Sequence, residues 1–461
     1  FCGFAPGFIS HANGHLNWSA GWLVPVLLWR VLKLREQGRW LRNGLILGAL
    51  VVVAFSIAAE GLFFTALACG VFLLTWSLAP STRAQARAAL GTVGAALAVT
   101  AVVAGAALAY PLWMHFAGPQ SFGATGFSQR TFAEDIAAYP SYSARSLAGV
   151  LGLDTNLAPN PTEENSFLGL PMLLLVGAGM VMLWRRAAAG RRATLRALAV
   201  TAGVFALLSL GPRLRFMGDA SGIRMPYEWL GRLPLFNSAL PGRLALVVVG
   251  VFGIVLAFTA DRALTTRRSR RNRLCWAAGF AAALVPIVPM PLLHAERVPV
   301  PHFIAGGTWR QYVPDGGVLT ALPLAANVAP DGQRWQAVTL ARGGAHFAIP
   351  GGYFLGPGGD DGKGRIGTPP RPTDQMLLQA ARIGSAPVID DRHRQRARED
   401  FAYCNVHAVI LPDRLSGEAE PLSYDVLKAA ATELLGPPTR VDDVWLWRIT
   451  PGTDPVARQP R

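Results

Sequence analysis

Along residues 1–293 the apolar positions run on in long blocks, with neither strand-like alternation nor a single helical stripe. The blocks fall at 17–33, 43–58, 61–79, 89–112, 166–184, 195–210, 242–260 and 274–293, with 43–58 and 195–210 the shortest. A helix rising about 1.5 Å per residue needs roughly 20 apolar residues to cross a hydrocarbon core of about 30 Å, so the pattern predicts about eight membrane helices, the second and third separated by a tight turn, AAEG, at Glu60. After Pro291 no block reaches membrane length. Short strand-like pieces, GGVLTALPL, HAVILP and VWLWRI, alternate with helical patterns in DRHRQRAREDFAY and SYDVLKAAATELL, which predicts a small α/β domain. The fold class expected is therefore an α-helical polytopic membrane protein with a C-terminal extracytoplasmic α/β domain. Its domains are a multi-pass region over 1–293 with outer loops 113–165 and 211–241, the α/β domain over 294–450, and a disordered tail over 451–461. No internal repeat is visible.

Composition agrees with that pattern. Of 461 residues 51% are hydrophobic and 15% charged, and mean hydropathy is positive, which is unusual for a water-soluble chain of this size. Glycine and alanine are frequent inside the apolar blocks, as expected where membrane helices pack closely. A formal charge of +15 would suggest a nucleic-acid partner if it were clustered on one surface. Here the arginines lie instead between apolar blocks, in LREQGRWLR, STRAQAR, RRAAAGRRATLR and TTRRSRRNR. That is the signature of cytoplasmic loops, so no nucleic-acid partner is expected. The alternation places residues 1–16, the turn at Glu60, loops 113–165 and 211–241 and everything after about 294 on the outer side. Loop 113–165 has only Arg130 and Arg145, as a translocated loop should, whereas loop 211–241 holds Arg213, Arg215, Arg224 and Arg232. The four cysteines, Cys2, Cys69, Cys275 and Cys404, form no framework or metal spacing. Phe1 opens the sequence inside an apolar stretch without a basic leader, which reads as an N-terminally truncated fragment.

The candidate chemistry is polar groups set against the apolar blocks. SHANGHLNW places His11, Asn13, His15 and Asn17 at the outer end of the first complete block. Imidazoles and amides at that depth suit an anionic lipid head group, and the bland alternative is an interfacial helix start with Trp18 in the aromatic belt. Glu60 is the only carboxylate between Glu36 and Glu134. It is a functional candidate by position, or a solvated residue at a turn. Loop 113–165 carries Glu134, Asp135, Asp154, Glu163 and Glu164. Paired carboxylates suit general-base work or a divalent cation, but no fixed metal spacing is present, and a solvated loop is the favoured reading. GIRMPYEWLGRLPLFNSALPGR gathers Arg224, Tyr227, Arg232 and Arg243 around a proline-broken segment, where arginine fits bidentate phosphate contacts or lipid anchoring. GPGGDDGKG lacks the first glycine and the hydroxyl residue of a phosphate loop. No cofactor motif and no metal-ligand set is identifiable.

Several stretches together resemble bacterial, actinobacterial-type membrane glycosyltransferases of the GT-C superfamily. They are FAPGFISHANGHLNW, RNGLILGALVVVAFSIAAEGLFFTAL, EENSFLGLPMLLL, LGPRLRF with IRMPYEWLGRLPLFNSALPGRLALVVV, and RWQAVTLARGGAHFAIPGGYF. The resemblance implies an inverting transfer of a sugar from a polyprenyl-phosphate donor to a glycan or lipid acceptor of the cell envelope, at the outer face of the bacterial plasma membrane. It also implies a catalytic Asp or Glu in the first outer loop, a region this sequence does not include, so Glu60 is only a weak substitute. On this reading His11, His15, Arg224 and Arg243 bind the donor phosphate, while Trp335, Tyr353 and Phe354 stack on acceptor sugars. The alternatives are a non-catalytic envelope assembly or binding protein, and a lipid-linked sugar transporter or flippase. The latter would call for an inverted repeat or charges at helix midpoints.

Overall fold

The computed structural model describes residues 1–265, 269–292, 294, 297–326, 329–358, 362–415 and 422–449. The expected tail over 451–461, the centre of the basic segment TTRRSRRNR and part of the glycine-rich loop GPGGDDGKG lie outside these. The chain forms two compact units, Phe1–Gly118 with Phe127–Leu293, and Pro119–Gly126 with His294–Arg461.

The first unit is helical. It contains α1 (Pro6–Ala12), a 3-10 segment Leu16–Trp22, α2 (Leu23–Lys33), α3 (Trp40–Leu78), α4 (Arg83–Ala117), a short α5 (Leu147–Val150), α6 (Leu170–Arg185) and α7 (Ala189–Ser209). A hairpin of β1 (Arg213–Phe216) and β2 (Asp219–Arg224) follows, then α8 (Tyr227–Leu230), a 3-10 turn Pro241–Leu244, α9 (Ala245–Thr265) and α10 (Arg270–Leu284). Among the described residues four helices are long and apolar enough to cross a membrane: α3, α4, α7 and the stretch Pro241–Ala263. Eight such helices are not present, for local reasons. Block 17–33 divides into the 3-10 segment and the 11-residue α2. Block 166–184 yields α6, which has 16 residues. Block 274–293 supports α10 only to Leu284, after which Pro286, Pro289 and Pro291 remove the amide donors a helix needs. Blocks 43–58 and 61–79 share the 39 residues of α3.

Within α3 the helical backbone breaks at Ala58 (φ −148°, ψ 73°). Gly44 lies against Ala96 and Val99, and Gly48 against Thr100 and Val103, so the first half of α3 runs in the same direction as α4. The second half leads directly into the start of α4, so the chain must turn at the break. The break thus falls on the first residue of the expected AAEG turn, and Glu60 lies in the first turn of the second half. A Cβ on Gly44 would stand 2.6 Å from the Ala96 carbonyl oxygen, an approach only glycine permits. Val53, Leu74, Leu90 and Val102 remain exposed along α3 and α4. An apolar surface of that kind suits hydrocarbon better than water.

The second unit is built on a sheet. β3 (Val318–Ala321) pairs in parallel with β6 (Val406–Pro412), which pairs antiparallel with β8 (Val444–Arg448), and β7 (Thr439–Val441) forms the edge beside β8. β4 (Leu355–Pro357) and β5 (Gly364–Ile366) form a separate hairpin. Helices α11 (His302–Ala305), α12 (Asp331–Arg342), α13 (Pro372–Ile383), α14 (Asp391–Tyr403) and α15 (Tyr424–Leu435) complete the unit. β6 is buried on both faces, which explains its unbroken apolar run. Ala408 and Ile410 join Trp309, Trp335 and Phe347 on one side, and Val409 and Leu411 join Leu377, Phe401 and Leu427 on the other. The segment Pro119–Gly126 belongs to this unit. Its Gly123 amide donates to the Gly362 carbonyl at 2.9 Å, and the Gly364 amide donates to the Ala124 carbonyl at 2.7 Å.

Candidate functional site

The loop between α4 and α6 was expected to be solvated; Asp154 is exposed, but Glu134, Asp135, Glu163 and Glu164 are each at most 5% exposed. Burying four acids is costly unless each finds partners. Two of them are occupied in shaping the backbone. Asp135 accepts from the amides of Ala137, Met217 and Gly218 at 2.8, 3.1 and 2.7 Å, tying the loop to the β1–β2 turn. Glu164 accepts from the Ser143 hydroxyl at 2.7 Å and the Ala144 amide at 3.2 Å. Glu163 and Glu134 belong to a network of a different kind.

Arg243 is its hub. Pro241 and Gly242 set the 3-10 turn that carries it, and the Gly242 amide donates to the Phe132 carbonyl at 2.8 Å, which pins that turn to the loop. The Arg243 guanidinium donates through Nη1 to Glu60 at 2.7 Å, through Nε to both Glu163 oxygens at 3.1 Å, and through Nη2 to Glu163 Oε1. The other Glu60 oxygen accepts from the Leu240 amide at 3.1 Å. His15 Nδ1 stands 3.7 Å from Glu163 and 2.9 Å from His11 Nδ1. His11 Nε2 meets Asn165 Oδ1 at 2.7 Å, and Asn165 Nδ2 donates to Glu134 at 3.1 Å. The Ser166 hydroxyl donates to the second Glu134 oxygen. Trp18 stacks on His11 with centroids 5.4 Å apart, and the Arg243 guanidinium lies 5.9 Å from the Trp18 ring. Helix α1 approaches closely enough to make these contacts because its Gly7 has no side chain, since a Cβ there would stand 2.5 Å from the Asn165 carbonyl oxygen.

Hydrogen-bond chemistry assigns the protons. The Asn165 oxygen can only accept, so His11 Nε2 carries hydrogen. Two Nδ1 atoms at 2.9 Å cannot both be protonated, so at least one imidazole is neutral. The electrostatics agree. Burial drives His11 down to about 4 against the pull of Glu163, and burial together with the Arg243 charge lowers His15. Burial would raise Glu163, but its hydrogen bonds to Arg243 and that residue's charge outweigh it and hold the carboxyl below its usual range. Glu134, with no cation beside it, is pushed by burial up to about 8, only partly offset by Ser166 and Asn165. The network therefore sets two carboxylates, Glu60 and Glu163, against a single guanidinium. It also brings one ligand atom each from His11, His15 and Glu163 within 4.8 Å of one another.

The residues singled out in the sequence are distributed unequally. His11, His15, Arg243 and Glu60 come together in this network. Arg224 is exposed on β2, in register opposite Arg213, and no hydrogen bond or ion pair among the described residues ties it to the others. Every donor edge of Arg243 faces a carboxylate, so it has no free fork for a phosphate. Trp18 is buried, so it does not belong to an interfacial belt, whereas Trp22 is exposed. Trp335 is packed in the core of the second unit beside Trp309 and Phe347, with no ring face open to a sugar. Tyr353 and Phe354 are exposed before β4. Sequence reasoning weighed Glu134 and Glu163 but favoured a solvated loop for them, and it missed Asn165. The usable signal was EENS, two acids and an amide directly before an apolar block, in a loop nearly devoid of arginine.

A family model described as a domain of unknown function (DUF6311) matches residues 1–248, a span that contains every member of the network. No curated protein matches the chain.

Proposed function

The chain belongs to the DUF6311 family, and from that premise we propose that it is a membrane-embedded transferase that moves a sugar from a polyprenyl-phosphate donor to a glycan or lipid acceptor of the cell envelope, at the outer face of a bacterial plasma membrane. The observation that carries this reading is the buried network of Glu60, Arg243, Glu163, His15, His11 and Asn165. Four separate chain segments converge on it, within a unit whose long helices are apolar. Charges are buried at such cost that they mark functional sites more often than structural ones in apolar surroundings. Sugar transfer to a hydroxyl needs a proton acceptor beside a group that manages phosphate charge. His15, the most open member with a 27% exposed side chain, and Glu163 beside it are the groups that meet the reacting atoms. Arg243 is a positioning residue here, because its donors hold Glu60 and Glu163 and do not remain free for the phosphate. Arg224 has no part in the centre. The arginine-rich segments between apolar blocks support the orientation.

The reading is tested in proteoliposomes by following transfer of labelled sugar from polyprenyl-phosphate donors to envelope glycan extract. Glu163→Gln and His15→Gln should each lower the rate by about 10²–10⁴, in protein that still inserts and is folded at the assay temperature. Full transfer in both variants overturns the proposal and favours a non-catalytic envelope-binding protein.

A further inference from the structure

We propose that His11, His15 and Glu163 form a divalent-cation site whose donor set selects zinc. The three residues offer two imidazole nitrogens and a carboxylate oxygen within 4.8 Å, from the end of α1 and the loop preceding α6. Two nitrogens with one oxygen suit zinc, whereas magnesium and calcium prefer oxygen throughout. Three protein ligands leave a fourth position open, the arrangement of reactive zinc sites. The histidine nitrogens, 2.9 Å apart, need to open by only a few tenths of an ångström. Two ligands about 2.0–2.1 Å from a tetrahedral ion stand roughly 3.3 Å from each other.

The surroundings are those of a supported ligand set. The His11 Nε2 hydrogen is held by Asn165, which fixes the tautomer so that Nδ1 presents its lone pair to the cluster. Glu163 is oriented by the Arg243 fork. Trp18, stacked on His11, carries a buried indole N–H without an acceptor among the described residues, a donor that an oxygen coordinated nearby could satisfy. His15 is partly exposed and gives an ion a route in. Charge also favours a cation: Glu60 and Glu163 share one guanidinium, whose donors are all taken, so the network by itself offers no cation to a phosphate. A divalent ion would supply the positive charge a phosphate needs and let its open position take a phosphate oxygen, with His15 and Glu163 then serving as its ligands and no longer meeting the reacting atoms themselves. This last step rests on the transferase reading, whereas binding of the ion does not.

The test uses the full chain in detergent, stripped with chelator and titrated with Co²⁺. One equivalent should bind with the intense ligand-field absorption of a tetrahedral centre, and Zn²⁺ should displace it. His15→Gln and Glu163→Gln should each weaken Co²⁺ binding by more than about a hundredfold, and Asn165→Ala, which removes the support of His11 together with the Asn165 bonds to Glu134 and Glu163, by about 10–100-fold. Thermal unfolding of the metal-free variants shows that they are folded, and the wild-type spectrum alone remains decisive if one is not. Absence of the tetrahedral spectrum in folded wild type, or unchanged affinity in both ligand variants, overturns the site. Co²⁺ binding without sugar transfer would sink the transferase reading alone, and Glu163-dependent transfer without Co²⁺ binding would sink this one alone.

Discussion

Arg243 shows most directly what its neighbours require of a residue. Removing it leaves Glu60 and Glu163 facing each other without a counter-charge, so Arg243→Ala should destabilise the first unit by about 3–5 kcal/mol. Adding Glu60→Gln should restore part of that loss, with a coupling on the order of 0.5–3 kcal/mol. Thermal unfolding of the two single variants and the double variant measures this, and simple additivity would show that the charges are independent. A second titrating residue lies in the other unit. Asp374 is pushed to about 6 by burial and the Asp400 charge, against a hydrogen bond from the Arg371 amide. A raised carboxyl stabilises the fold only while both states keep the proton, and that contribution is lost as pH rises from about 4 through 6. Asp374→Asn should therefore raise the melting temperature at pH 7.5 and leave it unchanged at pH 3.5. A gain that persists at low pH would refute the cause. At this scale the sequence was half legible. His11 and His15 stand out because polar side chains directly abut an apolar block, but Glu163 reads like any acid in a polar loop until its burial is known.

At the scale of the element, the apolar blocks locate helices well and count them poorly. Hydropathy reports which residues avoid water, and it does not register a 3-10 start or three prolines that end a helix early. The break at Ala58 decides where Glu60 points, and nothing in IAAEGL marks Ala58 above Ala59. The close packing of α3 on α4 is testable. Gly44→Leu should destabilise the protein by on the order of 1–3 kcal/mol through overpacking. Gly70→Leu, on the same helix with nothing within 4 Å of its Cβ position, should have little effect. Equal melting temperatures for the two variants would contradict the approach of the helices. The strands and helices of the second unit were easier to read, because β3, β6, β8, α14 and α15 each carry a pattern of their own length.

At the scale of the whole molecule, orientation bears on function. In a cysteine-free background, single cysteines at Gln120 and Leu340, both exposed in the second unit, should react with a membrane-impermeant maleimide on intact cells. A cysteine at Gly190, in the arginine-rich start of α7, should react only after permeabilisation. The reverse pattern would invert the topology and remove the outer-face assignment. The boundary expected at 293/294 is only one of the places where the chain passes between units, because Pro119–Gly126 also belongs to the second. That arrangement has a consequence for synthesis. The ribosome makes this short piece, then roughly 170 residues of the first unit, and only afterwards the strand and loop that bond to Gly123 and Ala124. Those partners, Gly362 and Gly364, come about 240 residues after the piece, so at about 5–20 residues per second it waits roughly 12–48 s for them. The hairpin of β4 and β5 thus closes late, and an insertion encoded just after α4 would first show its damage in a part of the protein that has not yet been translated.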